Sequence, residues 1–228
     1  MLYDLMRTNF QALLDIRFLE GTGTAVNDFA KPHHLCTCTG APTWASLALN
    51  NLNVLDFNPA TPDYIIIAAA AAVDINFTAG DFSLGVWIEP DALGVRNPMT
   101  KGVHETDGYA WQIQGDGSMS LYTSQAGAHQ VTHSVAGDIV VNTWQFIVAT
   151  RDGANVRLYT NGIDVTGTYG VHIDPVSAVA NNFYIGVNDA AGAAWYDGAM
   201  WRPRVWGRAL PIEEIGFIFD MERDLLGV

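Results

Sequence analysis

An all-β fold is predicted: two packed antiparallel sheets forming a β-sandwich, with one short helix at the C-terminus. Three observations predict it. Apolar and polar residues alternate with a period of two in segment after segment, the pattern of strands with one buried face. Turn residues separate these segments, and two of the turns carry Asp-Gly or Asn-Gly, which supply the positive φ angles of type I′ hairpins. Only one stretch, near residues 211–225, has the punctuation of a helix.

Strands are read at ALLDIRF (12–18), NVLDFN (53–58) and DYIIIA (63–68). In DFSLGVWIEP, Phe82, Leu84, Val86 and Ile88 share one face. Further strands fall at GYAWQIQ (108–114), SMSLYTS (118–124) and HQVTHSV (129–135). NTWQFIVAT places Trp144, Phe146 and Val148 together. Val156 and Leu158 alternate with Arg157 and Tyr159 ahead of the Asn161-Gly162 turn, and Asp152-Gly153 marks the turn before them. NFYIGV (182–187) and MWRPRVW (200–206) complete the strands. In PIEEIGFIFDMERDLLG, Pro211 suits the first helical position, Glu213 and Glu214 complement the positive dipole end, and Gly227 can close the helix. No linker divides the chain, so residues 12–228 read as one domain and residues 1–11 as an N-terminal arm. That arm carries Leu2, Tyr3, Leu5, Met6 and Phe10, too apolar to stay in water, so it either folds back on its own domain or, as expected here, docks on a neighbouring subunit.

Composition narrows the function. Hydrophobic residues make up 49% and charged residues 15%, which excludes disorder. The net charge of -13, from 24 acidic against 11 basic residues, repels a phosphate backbone, so no nucleic-acid partner is expected. The longest apolar run, residues 65–73, is far short of the ~20 residues that span a bilayer, so no membrane insertion is expected. The first residues lack a signal-peptide pattern.

Residues 33–38 read HHLCTC and raise the question of zinc. On a strand His34, Cys36 and Cys38 point one way and His33 the other. Three residues in one line on one face do not surround a tetrahedral ion, so the two cysteines are expected to fill the core.

The order of the motifs resembles the laminin-G-like, concanavalin A-like lectin/glucanase jelly roll. LLDIRFLEGTGTAVNDFA resembles its opening strand and loop, with Glu20, Gly21, Gly23 and Asp28 in place. WQFIVAT with the DG, LY and NG that follow resembles its central hairpin. DGAMWRPRVWGRALPIEEI resembles its closing strand, with Arg208, Ala209, Leu210, Glu214 and Ile215 matching. The likeness runs over about residues 12–222.

The resemblance implies three kinds of site. Calcium-binding members would place loop oxygens at Asp28 and Asn27, whereas the acidic residue that usually follows Gly198 is missing. Glucanases of this type carry alternating carboxylates on one strand. The nearest match, Asp220, Glu222 and Asp224 in DMERD, lies in the expected helix, where alternate positions diverge by about 200°. No catalytic residue is therefore expected. His172, two residues before Asp174, reads as a chance pairing. Sugar-binding members stack rings on aromatics. Trp195 and Tyr196, in a Gly/Ala-rich loop, are the candidates, with Asn188, Asp189 and Asp197 as polar partners and Trp201 added to the same surface. Trp87, Trp144 and Trp206 fall on the family's core positions, while Trp44 and Trp111 are open. The expected function is a non-enzymatic interaction or assembly module decorating a phage or virus particle, with neighbouring subunits as partners and glycan binding in addition. The alternative is a cell-surface or secreted carbohydrate-binding lectin module. The matching locations are a virion surface or the cell exterior.

Overall fold

The computed structural model describes residues 11–31, 33–188 and 192–228. Its strands, in chain order, begin with β1 (Ala12–Asp15), β2 (Ala25–Asn27), β3 (Leu35–Thr39), β4 (Thr43–Ser46), β5 (Asn53–Phe57) and β6 (Tyr64–Ile67). The middle of the chain holds β7 (Phe82–Pro90), β8 (Arg96–Lys101), β9 (Tyr109–Ile113), β10 (Met119–Gln125) and β11 (Ala128–Ser134). There follow β12 (Gln145–Asp152), β13 (Asn155–Thr160), β14 (Ile163–Asp164), β15 (Thr166–Thr168), β16 (Phe183–Ile185) and β17 (Gly198–Trp206). Among the described residues there is one helix, α1 (Ile212–Leu226), which comes last. The strands form two antiparallel sheets. The first has the order β14-β13-β12-β7-β17-β5-β4, with β1 also on β17. The second runs β15-β11-β10-β9-β8-β16-β6-β3-β2. The expected β-sandwich with one C-terminal helix is what forms.

The core lies between the sheets. Phe82, Leu84 and Val86 of β7 and Tyr109 and Trp111 of β9 are all buried in it. Phe82 stacks on Phe77 at 4.8 Å and tilts against Tyr109 at 4.8 Å. Each fully buried side chain of this size contributes about 1.5–3 kcal/mol of transfer free energy.

Strand β12 was read as half-buried, yet both of its faces are covered. Phe146 is paired with Trp87, and Ile147 with Val86. Trp144, Phe146 and Val148 therefore share the face of Trp87, opposite Val86. Helix α1 lies on that face, with Phe219 stacked on Trp87 at 5.7 Å. Gly85 sits under the same cover: a Cβ there would lie 3.0 Å from the ring of Trp206.

Four strands were not read from the sequence: β2, β4, β8 and β15. Pro98 hid β8, because proline cannot donate to a ladder. The strand accommodates it where the register with β9 shifts between Arg96 and Met99. Pro203 is accommodated in β17 in the same way, at an irregularity between Trp201 and Arg204 where Arg202 adopts φ 53. The Asn161-Gly162 turn has the expected positive φ values, 52 and 80. The preceding turn is Gly153-Ala154 rather than Asp152-Gly153, because Asp152 pairs with Asn155. Pro211 caps the helix from outside at ψ 153, and Gly227, at φ 74, donates its N–H to Arg223 O.

Helix and sheet are joined by charge. Glu222, buried on α1, accepts from Trp87 Nε1 at 2.8 Å and from Arg204 Nη1 and Nη2 at 2.8 Å each. Arg202 bridges Glu222 to Asp15, donating from Nε to Asp15 Oδ1 at 3.0 Å. Burial opposes ionisation of Asp15, but Arg202 and its neighbours hold the carboxyl below its ordinary value. Removing one partner of such a buried network strands the others. Glu222→Gln should cost about 3–5 kcal/mol in urea denaturation, since among the described residues no other carboxylate is bonded to Arg204. A loss below about 1 kcal/mol would place the network among the weak surface pairs instead.

Candidate functional site

The loop between β16 and β17 brings aromatic and charged residues together. Asn188 opens it, donating its N–H to Ala193 O at 3.3 Å and accepting from Ala193 N at 3.3 Å. Trp195 closes it, with Nε1 donating to Gly192 O at 2.9 Å. Arg96 fixes the loop to β8 by donating to Trp195 O at 3.0 Å and pairing with Asp197 at 3.4 Å. The Trp195 ring lies 5.7 Å from Tyr64 of β6, which lies 5.8 Å from Tyr184 of β16. Asn182 donates to the Tyr184 hydroxyl at 3.0 Å. Trp195 and Tyr64 are half-buried, and Arg96 and Asp197 each keep 23% of their side chains exposed.

Of the residues expected here, Trp195, Asn188 and Asp197 gather on this rim. Tyr196 and Trp201 do not. Both aromatics of the Gly/Ala-rich loop are candidates in the sequence, but residues 195 and 196 alternate. Tyr196 is fully buried against Phe57 at 6.1 Å, donating to Ala199 O. Trp201 is opposite Trp87 on β17 and is 4% exposed. Asp189 and residues 1–10 of the N-terminal arm lie outside the described residues. Tyr64 and Tyr184 were missed because they stand in apolar runs. The period of two in YIII would have set Tyr64 and Ile66 on the face opposite Ile65 and Ile67.

Asp197 also belongs to an acidic group with Asp56, Glu89 and Asp91. Asp56 and Glu89 both stand opposite Ala199, one on either side of β17. Burial and then the charge of Asp91 raise both carboxyls above their ordinary values. The carboxylates of DMERD are placed otherwise. Glu222 is held by the two arginines, while Asp220 points to solvent with 70% of its side chain exposed.

Asp28, which the resemblance offers as a calcium ligand, has both oxygens bonded within the fold. Its two oxygens accept from Asp15 N at 2.9 Å, Ala30 N at 2.9 Å, His34 N at 3.0 Å and His34 Nδ1 at 2.7 Å. Asn27 instead bonds Glu20, through Nδ2 at 2.6 Å. The HHLCTC stretch divides as read, with His34, Cys36 and Cys38 inward and His33 outward, although β3 begins only at Leu35. The free thiols of Cys36 and Cys38 face the core, and burial pushes Cys38 up to about 12. Among the remaining tryptophans Trp111 is buried, and Trp44 donates Nε1 to Gly23 O at 2.8 Å.

Two buried histidines are tuned in opposite directions. His34 donates from Nε2 to Asp74 at 2.9 Å as well as from Nδ1 to Asp28. Carboxylates only accept, so both ring nitrogens carry protons and His34 is an imidazolium. Burial disfavours that charge, but the bonds to Asp28 and Asp74 outweigh it and raise the pKa above 6.5. His172 sits between the hydroxyls of Thr123 and Thr132 at 2.8 and 3.0 Å. Burial pushes it down to about 4. Its sequence neighbour Asp174 pairs with Arg151 at 2.7 Å instead.

The folded state keeps a proton on His34 that the unfolded chain releases near pH 6.5. Its stabilisation is therefore complete below that pH and is lost as pH rises through the folded pKa. Histidine NMR should give a midpoint above 6.5 for His34 and near 4 for His172. His34→Gln should flatten the decline of stability above pH 6.5, and an unchanged profile would remove His34 as its cause.

The sequence profile of the concanavalin A-like lectin/glucanases superfamily matches residues 63–216, more than half of the chain. No curated protein sequence matches the chain. Among solved structures, the botulinum neurotoxin serotype C1 binding domain superposes with a TM-score of 0.71 at 12% identity, over 93% of this chain and 52% of that one. A botulinum neurotoxin type C structure, from a toxin whose cell entry depends upon interaction with two ganglioside molecules, gives 0.69 at 14% identity, over 95% and 53%. The binding domain of botulinum neurotoxin DC in complex with rat synaptotagmin II gives 0.70 at 12%, over 93% and 52%. The chain spans about half the length of these structures, and at such identities the likeness is one of fold. With the two-sheet architecture and the matched profile together, the chain belongs to the concanavalin A-like lectin/glucanases superfamily.

Proposed function

We propose that the protein is a non-enzymatic binding module that takes a carbohydrate at the Trp195 rim. The observation that carries this reading is the half-buried Trp195 tilted against Tyr64, which meets Tyr184 edge-on, the group flanked by Asn188, Arg96 and Asp197. A pyranose presents C–H groups to an aromatic face and hydroxyls to amides and carboxylates, so this combination suits it. Family membership supports the reading, as does the ganglioside interaction of the structurally similar type C neurotoxin. The absence of catalysis rests on the placement of the DMERD carboxylates, of which Glu222 is locked in ion pairs.

An oligosaccharide array should identify a bound glycan class. Trp195→Ala should then weaken binding by about 2 kcal/mol, some thirtyfold, because buried aromatic anchors dominate such sites. Its melting temperature should stay close to the parent's. Retention of full affinity by Trp195→Ala, or no binding to any glycan, would overturn the reading.

A second reading is assembly, in which the domain decorates a phage or virus particle or another large particle through neighbouring subunits. It draws on the exposed apolar side chains of Tyr169, Val171, Ile173, Val176 and Val179 along one connecting segment. Sedimentation should then show concentration-dependent self-association, weakened by Val171→Asp. A monomer at every concentration would remove self-assembly from the reading.

A further inference from the structure

The loop between β8 and β9 carries His104 and Glu105, and β11 begins with Ala128 and His129. One ligand atom from each of His104, Glu105 and His129 can be chosen so that all three lie within 4.8 Å of one another. We propose that these three side chains form a binding site for a zinc-type divalent transition metal. This reading stands apart from carbohydrate binding.

The donor set selects the ion. Two imidazoles and one carboxylate suit zinc and its neighbours, whereas calcium and magnesium take oxygen ligands. Distance fits as well. Zinc bonds of about 2.0–2.1 Å at tetrahedral angles set neighbouring donor atoms roughly 3.3 Å apart. His129 Nδ1 already lies 3.2 Å from Glu105 Oε1. A proton joins that pair in the free protein, and a metal ion takes its place. His104 completes the set with a ring centroid 4.5 Å from that of His129. It closes on the ion by rotation about its side-chain bonds, since it is exposed.

The surroundings hold the donors in place. Tyr122 meets both imidazoles edge-on, at 5.3 Å from His104 and 5.4 Å from His129. Glu105 adopts φ 59, a conformation uncommon outside glycine. It is fastened there by Gly127, which donates to Glu105 O at 2.8 Å, and by Ser124 Oγ, which accepts from Glu105 N at 3.2 Å. Loop and hairpin are thereby pinned together, and a strained residue held by its neighbours is characteristic of functional positions. His104 and Glu105 are both exposed, so a three-ligand site would keep its fourth position open to water or to a donor atom of a bound molecule.

Tyr122 shares a sheet face with Tyr184, through the opposed pairs Tyr184–Thr100, Thr100–Ala110 and Ala110–Tyr122. Three strand spacings of about 4.8 Å separate the two aromatics. The metal and the Trp195 rim thus lie on one face.

The test is calorimetric titration of the untagged full chain with zinc chloride, read alongside histidine NMR. One equivalent should bind, shifting the ring signals of His104 and His129 while leaving His34 and His172 in place. His104→Ala, His129→Ala and Glu105→Gln should each weaken zinc by about tenfold or more, with circular dichroism unchanged. The inference fails if zinc does not saturate a site. It fails equally if the double variant His104→Ala/His129→Ala binds zinc as tightly as the parent, which would place the ion elsewhere, at His33 or the cysteines.

Discussion

Glu222 holds the C-terminal helix to the sandwich, and much of the first sheet's outer face depends on that attachment. Its carboxylate receives two arginines and the indole of Trp87, and Arg202 carries the link on to Asp15 of the first strand. Two positive and two negative charges meet where water is excluded. Each has the opposite sign bonded to it, which is the condition for burying charge at all. The network joins the first strand, the last strand and the helix, elements far apart in the chain. It also explains why β7 and β12 are apolar on both faces: the helix covers the face that in a two-layer sandwich would meet solvent.

The Trp195 rim is built on the other sheet by different means. Backbone bonds do most of the positioning there, from Arg96 to the carbonyl of Trp195 and from Asn188 to Ala193. Alternation along the chain then decides the roles. Trp195 faces the rim, Tyr196 the core and Asp197 the rim again. The same alternation that makes a strand divides this short segment into one surface aromatic and one core aromatic.

Buried polar groups in this protein follow one rule, in which partner chemistry sets the charge. His34 lies between two carboxylates and is charged, whereas His172 lies between two hydroxyls and is neutral. Asp28 accepts three backbone N–H groups and one imidazole on adjoining segments and so ties β1 to the start of β3. An Asp in that opening loop therefore serves the fold, where the family resemblance had suggested a calcium ligand.

The sequence by itself determined the strands that alternate cleanly, the Asn161-Gly162 turn, the helix and the two-sheet class, because these depend on contacts between residues close in the chain. It also placed Cys36 and Cys38 inward and named Trp195 as a candidate for the rim. It did not disclose β8, where a proline is absorbed by a register shift, nor that Trp201 is covered. The partners of Glu222 lie 18, 20 and 135 residues away. The contact of Trp195 with Tyr64 likewise crosses from a loop to a distant strand. Only the tertiary structure decides such meetings, because a side chain's charge, exposure and ligands are set by what packs against it, and strand order brings those neighbours from anywhere in the chain.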